Sequence, residues 1–161
     1  MYKIGHGFDL HPVKAGGKLV LGCVPFGDVD FGLVGHSDAD VVAHAVCDAL
    51  LGAAGMGDIG EHFPDTDTAY AGAPGSLFLS SVATMLCDRS FRVSNVDCTV
   101  LCDIVKLGNR KSDMASAMAA HLGIPPERVN VKATTCEGYG IVGRGEVIAC
   151  VAVATILQAG P

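Results

Sequence analysis

Three side chains in the first third of the chain could hold a divalent cation: Asp9, His11 and His44. Zinc-like ions take imidazole nitrogen and carboxylate oxygen, and a catalytic site uses three protein ligands and leaves the fourth position for substrate. Asp9 and His11 stand two apart where a strand should end, so their side chains point the same way. The set closes only if that strand end lies beside the helix that carries His44. A plainer reading fits the same residues, with Asp9 capping a turn and His44 a satisfied core histidine. His62, in a polar loop, and His121, at a helix end where the dipole suits it, attract less suspicion.

Around His44 runs GHSDADVVAHAVCDALLGAAGMGDIGEHFPDTD, from Gly35 to Asp67. Asp40, His44 and Asp48 recur at i, i+4 and i+8, so a helix there carries one polar face. A second candidate is KATTCEGYG at 132–140. The hydroxyls of Thr134 and Thr135 and freed backbone amides can bind phosphate oxygens, and Glu137 can hold a second, magnesium-like cation. The bland alternative is a β-prone threonine pair before an ordinary turn. Cys136 has no histidine near it in sequence and reads as a packed thiol.

The elements that must position these residues follow from periodicity. A strand over 2–8 should stop at Asp9-Leu10-His11-Pro12, where proline withholds a ladder hydrogen bond. A second strand is expected over 18–26, then a loop over 27–35 and a helix over about 39–54, capped by Ser37 or Asp38. Residues 58–74 lack periodicity and read as a long loop of the kind that usually has a job. Further on come a helix over 76–87, a strand over 91–102 and a helix over 109–122 with Met114, Met118 and Leu122 on its core face. In the 91–102 strand Val93, Asn95, Asp97 and Thr99 should share one face and Val96, Cys98 and Val100 the other. A strand over 128–135, a glycine-rich turn and a strand over 146–157 complete the order. The last strand is apolar on both faces, which suggests a neighbouring subunit over the second. The fold class expected is α+β: a mixed four-stranded sheet with helices on one face, in a β-α-β-α-β-β core.

Composition narrows the partners. The 161 residues suit one domain spanning 1–161, half of them are hydrophobic and 17% are charged, so a homo-oligomer is expected. Eleven scattered Lys and Arg on a chain of net charge -6 form no basic stripe, which argues against nucleic acid. No apolar run reaches the roughly 20 residues of a membrane helix. Seven cysteines without a CxxC pair point to a reducing cytoplasm rather than a disulfide framework.

Four motifs together, GHGFDLHPV at 5–13, GHSDADVVAHA at 35–45, DALLGAAGMGDIGEHFPDTD at 48–67 and NVKATTCEGYGIVGRGE at 130–146, resemble the 2-C-methyl-D-erythritol 2,4-cyclodiphosphate synthases of the non-mevalonate isoprenoid pathway. The resemblance covers essentially the whole chain. It implies zinc on Asp9, His11 and His44, with a substrate phosphate oxygen in the fourth position, and magnesium or manganese on Glu137. It also implies that His36 and Thr135 stabilise the reacting phosphates, with Ser37 and Leu10 close by. Asp58, Ile59 and Gly60 match the ribose-holding segment, and Phe63, Pro64, Asp65, Thr66 and Asp67 the segment around methylerythritol. Cys102, Asp103, Ile104, Val105, Lys106, Leu107 and Gly108 match the cytidine segment, beside Thr134 and Cys136. A homotrimer with sheets facing the three-fold axis and sites at subunit interfaces is implied too. So is a central cavity near Ile141 and Arg144, where an isoprenoid diphosphate is a candidate guest.

The chain departs from this pattern in two places. Val105 stands where the cytidine segment usually has proline, and Ile141 where the cavity usually has an aromatic. Two other classes use the same residues. A zinc-dependent phosphodiesterase would release a linear product, and a non-catalytic trimer would bind a nucleotide diphosphate without releasing CMP.

Overall fold

The computed structural model describes residues 1–158. Its elements, in chain order, are β1 (Tyr2–Ala15), β2 (Leu19–Leu21), β3 (Val24–Phe26), β4 (Phe31–Leu33), α1 (Val41–Ala54), α2 (Ile59–His62), α3 (Gly75–Asp88), β5 (Phe91–Leu101), α4 (Arg110–Leu122), β6 (Val129–Thr134), α5 (Gly140–Gly143) and β7 (Val147–Gln158). The main sheet has five strands in the order β4-β1-β7-β5-β6, not four, and β2-β3 form a separate hairpin. All its pairs are antiparallel except β5 with β6. Strands β1, β5 and β6 therefore all run towards the same end of the sheet. Helices α1, α3 and α4 pack over one face and against each other. Among the described residues no helix is long and apolar enough to cross a membrane.

Several boundaries differ from expectation, each for a local reason. Strand β1 runs through Pro12 because the proline nitrogen points to the β4 side, while the β7 ladder continues unbroken through the Pro12–Val147 pair. Residues 18–26 fold back as a hairpin because Gly22 and Cys23 both take positive φ, 58° and 64°, at the turn. The expected loop at 27–35 supplies the three-residue edge strand β4. The expected loop at 58–74 contains α2 and a 3-10 turn at Thr68–Tyr70, and the glycine-rich turn contains α5. A bulge between Val93 and Asn95 shifts the β5 alternation, so Val93 shares the buried face with Val96 instead of opposing it. Met114, Met118 and Leu122 line the core as expected.

The seating of α1 on β1 depends on two glycines. A Cβ on Gly5 would lie 2.0 Å from the Ala49 carbonyl oxygen, and one on Gly7 2.0 Å from that of Ala45. Two strand residues advance roughly 6.6 Å and four helical residues about 6 Å, so contacts recur in step. The next inward residues, Asp9 and His11, then meet the helix near His44. The outward face of the same strands stays apolar and open in the single chain, with Tyr2, Ile4, Phe8, Leu10 and Val153 exposed.

The cap of α1 is Asp40, not Ser37 or Asp38. Its carboxylate is fully buried and accepts from Val42 N and Ala43 N at 3.2 and 3.1 Å and from Gly22 N and Cys23 N at 2.8 and 2.6 Å. One side chain thus ties the hairpin turn to the helix start. Removing it leaves four donors, three of them buried, short of a partner, so Asp40→Ala should cost roughly 3 kcal/mol or more of unfolding free energy. Urea denaturation measures this, and Asp40→Asn, which keeps one acceptor oxygen, should lose less.

Candidate metal centre and active site

Asp9 and His11 reach the α1 side of β1 two residues apart, and His44 meets them from the first turns of the helix. Asp9 Oδ2 lies 3.0 Å from His11 Nε2 and 3.2 Å from His44 Nδ1, and the two nitrogens are 3.2 Å apart. A tetrahedral zinc with ligand bonds of roughly 2.0–2.1 Å needs ligand atoms about 3.3 Å apart, so this triangle fits one face of such a tetrahedron. The plainer reading of Asp9 as a turn cap and His44 as a core histidine does not describe this geometry.

Outer contacts fix which atoms face inward. The Val34 carbonyl can only accept, so His11 Nδ1, at 2.8 Å, carries a proton and donates to it. Asp9 Oδ1 accepts from Leu10 N at 2.9 Å, which leaves Oδ2 for the corner. His44 Nε2 lies 3.2 Å from Ser37 Oγ. Such outer partners are what orient metal-binding imidazoles and carboxylates. With the inner nitrogens deprotonated the three would turn lone pairs to one point, where a cation would relieve their repulsion. Burial pushes the Asp9 carboxyl up, but hydrogen bonds and charge from His11 and His44 outweigh it and hold it well below the usual carboxylate range. Burial likewise opposes a charged His11, yet Asp9 keeps its pKa above the ordinary imidazole value.

A cavity of 240 Å³ opens at this corner, lined by His11, His36, Ser37, His44, Ile59, Phe63, Asp65, Tyr70 and Phe78. Asp48 does not face it as a third member of one polar stripe. Asp48 instead accepts from Ile59 N at 2.8 Å and so docks the start of α2, as Asp58 caps α2 through Glu61 N at 3.0 Å. Phe63 packs edge-on against Phe78 and Tyr70, with ring centres 5.1 and 5.4 Å apart. Sequence reasoning missed Tyr70 and Phe78. Their signal was one aromatic inside the aperiodic 58–74 stretch and another just after it, masked because Phe78 also fits the core face of α3. Pro64, Thr66 and Asp67 lie on the exposed rim, where Asp67 caps the 3-10 turn through Ala69 N at 2.9 Å. Leu10 points to the opposite sheet face, leaving only its backbone near the corner. His62 donates to Met56 O at 2.7 Å within its own loop, and His121 contacts Ser80 Oγ at 3.1 Å between α4 and α3, so both are held away from the corner.

The other candidates gather on the far edge of the same sheet end. Asp103 accepts from Cys136 N and Gly138 N at 2.7 and 3.1 Å, gripping the turn that presents Glu137 at a positive φ of 53°. Thr135 Oγ1 donates to Glu137 Oε1. Thr134, Thr135, Glu137, Ile104, Lys106 and Gly108 are exposed, while Cys102 and Leu107 are buried and anchor the 102–108 segment; Val105 is half-buried. Three strand spacings separate β6 from β1, about 14 Å, and no residue of 102–108 or 134–137 lines the cavity. Within one chain the two groups of candidate residues therefore lie apart. Arg144 and Ile141 are exposed beyond them, with Arg144 Nε 2.6 Å from Glu146 Oε1.

Fold and site define a class of α+β protein with a one-carboxylate, two-imidazole corner at the edge of a mixed sheet. The chain belongs to the YgbB family, whose model matches residues 2–157. It is 54% identical over 158 residues to the 2-C-methyl-D-erythritol 2,4-cyclodiphosphate synthase of Desulfosudis oleivorans, covering 97% of this chain and 92% of that one. To the enzyme of the same name from Thiobacillus denitrificans it is 48% identical, covering 96% of each. Among solved structures, the bifunctional IspDF of Campylobacter jejuni matches with a TM-score of 0.92 and 38% identity over 97% of this chain and 42% of that one. The CDP complex of Plasmodium falciparum IspF matches with a TM-score of 0.85 and 27% identity over 99% and 97%.

The corner predicts a pH dependence. A proton on His11 competes with the cation, so zinc affinity should fall as pH drops, by up to about tenfold per pH unit once His11 is protonated. In the metal-free protein the His11–Asp9 contact stabilises fully below pH 6.5 and is lost as pH rises through the raised His11 pKa. Thermal melts with and without zinc from mildly acid to alkaline pH should therefore diverge, with zinc adding most at the alkaline end.

Proposed function

We infer that this protein converts 4-diphosphocytidyl-2-C-methyl-D-erythritol 2-phosphate to 2-C-methyl-D-erythritol 2,4-cyclodiphosphate and CMP, acting in the isoprenoid precursor pathway. The observation that carries this reading is the Asp9–His11–His44 triangle opening into the 240 Å³ cavity, in a chain of this family. The reaction is intramolecular: the 2-phosphate oxygen attacks the β-phosphorus, the bond to the CMP oxygen breaks, and CMP leaves with that electron pair. An ionised phosphate is already nucleophilic near neutrality, so no serine, cysteine or strong base is required. The protein's task is to fold the substrate and offset developing negative charge.

The residues divide that task. Asp9, His11 and His44 suit zinc and Glu137 suits magnesium or manganese, ions that would neutralise phosphoryl oxygens and bring two anionic phosphates together. His36 and Ser37 stand at the cavity mouth, where each can donate to a phosphate oxygen. The Thr135 hydroxyl, released from Glu137 once that carboxylate takes a cation, and the Glu137 amide, which lies between the two amides that Asp103 holds, can reach the other side of the diphosphate. Ile59, Phe63, Tyr70 and Phe78 exclude water beside the carbon chain, and Asp58 to Gly60 offer hydrogen-bonding groups to ribose. The 102–108 segment would take the cytosine largely through backbone groups, which tolerates Val105 where proline is usual. The similar Plasmodium falciparum structure is a complex with CDP, in line with a cytidine nucleotide here.

The two half-sites lie on opposite sheet edges, so a complete site needs the metal half of one subunit beside the 102–108 and 134–137 half of another. The exposed apolar face of Tyr2, Ile4, Phe8, Leu10 and Val153 supports a homotrimer packed through its sheets. The whole chain then acts as one synthase domain, and seven free cysteines suit the cytoplasm. In such a trimer Arg144 and Ile141 border the three-fold cavity, where an isoprenoid diphosphate is a candidate guest. Binding would have to displace Glu146 from Arg144, so titration of the trimer should show affinity that is lost in Arg144→Ala; equal affinity in both would dismiss that guest.

Phosphorus NMR of the purified protein with the cytidine-diphospho substrate tests the function. CMP and a cyclic diphosphate should form together, cease with chelator and return with added divalent cation. His44→Ala should lower the rate by at least about a hundredfold. A linear diphosphate would favour hydrolysis, and binding without CMP release would favour the non-catalytic trimer.

A further inference from the structure

Pro12 follows His11 directly and sits at the end of the β1–β4 ladder. On that side of β1 the residues facing β4 are Pro12, Lys14 and Gly16. Lys14 pairs with Gly32, and Gly16 N donates to Asp30 O at 2.7 Å. The next pair is Pro12 with Val34, and Val34 N donates to Pro12 O at 2.8 Å. In an antiparallel ladder such a pair exchanges two bonds. Proline has no N–H with which to return the second. The Val34 carbonyl is accordingly left over, and His11 Nδ1 takes it at 2.8 Å.

That bond decides the chemistry of the ring. With Nδ1 committed as a donor, a neutral imidazole presents a lone pair at Nε2, the atom 3.0 Å from Asp9 Oδ2 and 3.2 Å from His44 Nδ1. Gly35 completes the slot: a Cβ there would lie 3.1 Å from His11 Cε1 and 2.9 Å from the Ala39 Cβ. We propose that Pro12 is a positioning residue for the metal corner: by withholding its backbone N–H it leaves the Val34 carbonyl to His11, and this sets which ring nitrogen faces the cation. The inference rests on the reading of Asp9, His11 and His44 as a cation site. It explains why a proline occupies the middle of a long strand without ending it.

Pro12→Ala and Pro12→Val restore the N–H, with Pro126→Ala, in the 3-10 turn before β6, as the control for losing a proline. Long-range nitrogen NMR of the metal-free proteins at alkaline pH reports the His11 tautomer, and competition with a chromophoric chelator reports zinc affinity. In the wild type His11 should carry its proton on Nδ1. In both Pro12 variants that population should fall and zinc should bind on the order of 3- to 10-fold more weakly, because the restored N–H competes for the Val34 carbonyl; the loss stays modest because a carbonyl has two lone pairs. Pro126→Ala should match the wild type. Folded Pro12 variants with the wild-type tautomer and affinity would overturn the proposal. If they do not fold, Gly35→Ala, which keeps Pro12 but crowds the ring off Val34, decides it: weaker zinc with a shifted tautomer supports the proposal, and no change overturns it. A wild type with the expected tautomer that binds no zinc would instead refute the cation reading.

Discussion

The site exists because the backbone of α1 can lie directly on β1. Gly5 and Gly7 present no side chain, so the helix comes close enough for its own carbonyls to fill the space. The steps of helix and strand nearly match, so contact continues along the inward side of β1 to Asp9 and His11. Van der Waals packing thereby delivers an imidazole from the helix to a carboxylate and an imidazole from the strand. A side chain at position 5 or 7 would lift the helix and open the triangle.

The same end of the sheet is used twice. Because β1, β5 and β6 run in one direction, their carboxyl ends deliver the metal corner, the 102–108 segment and the Thr135–Glu137 turn to one level of the molecule. The strand order then separates them by three positions. In the proposed trimer a second copy, packed through the apolar outward face of β1 and β7, would reverse that separation. Carboxylates do the bracing: the buried Asp40 joins the hairpin to α1, and the half-buried Asp48 and Asp103 join α1 to α2 and the 102–108 segment to the Thr135–Glu137 turn. Acidic residues that look alike in sequence thus divide into candidate cation ligands, Asp9 and Glu137, and several backbone clamps.

Much of this was legible from residue types. The i, i+2 pair Asp9 and His11 announced a shared direction, the methionine spacing announced a core face, and four motifs together announced a family. What remained hidden depended on tertiary neighbours. The role of Asp40 needed the hairpin to fold back over the helix start. Tyr70 and Phe78 became cavity walls only when an aperiodic segment folded over α3. Pro12 read as a strand stop because a single sequence does not show which side of the strand its nitrogen faces. The bulge at Val93–Asn95 likewise has no local signature, and it inverts the alternation at the start of β5.

X-ray absorption at the zinc edge is the sharpest test of the Asp9–His11–His44 corner, because it counts and identifies the atoms around the ion without reference to turnover. Four nitrogen or oxygen neighbours at roughly 2.0 Å are expected, and a phosphorus shell at about 3 Å on addition of CDP. A sulfur shell near 2.3 Å, which would place the ion on one of the seven cysteines, or a spectrum that CDP leaves unchanged, would contradict that corner as the cation and phosphate site.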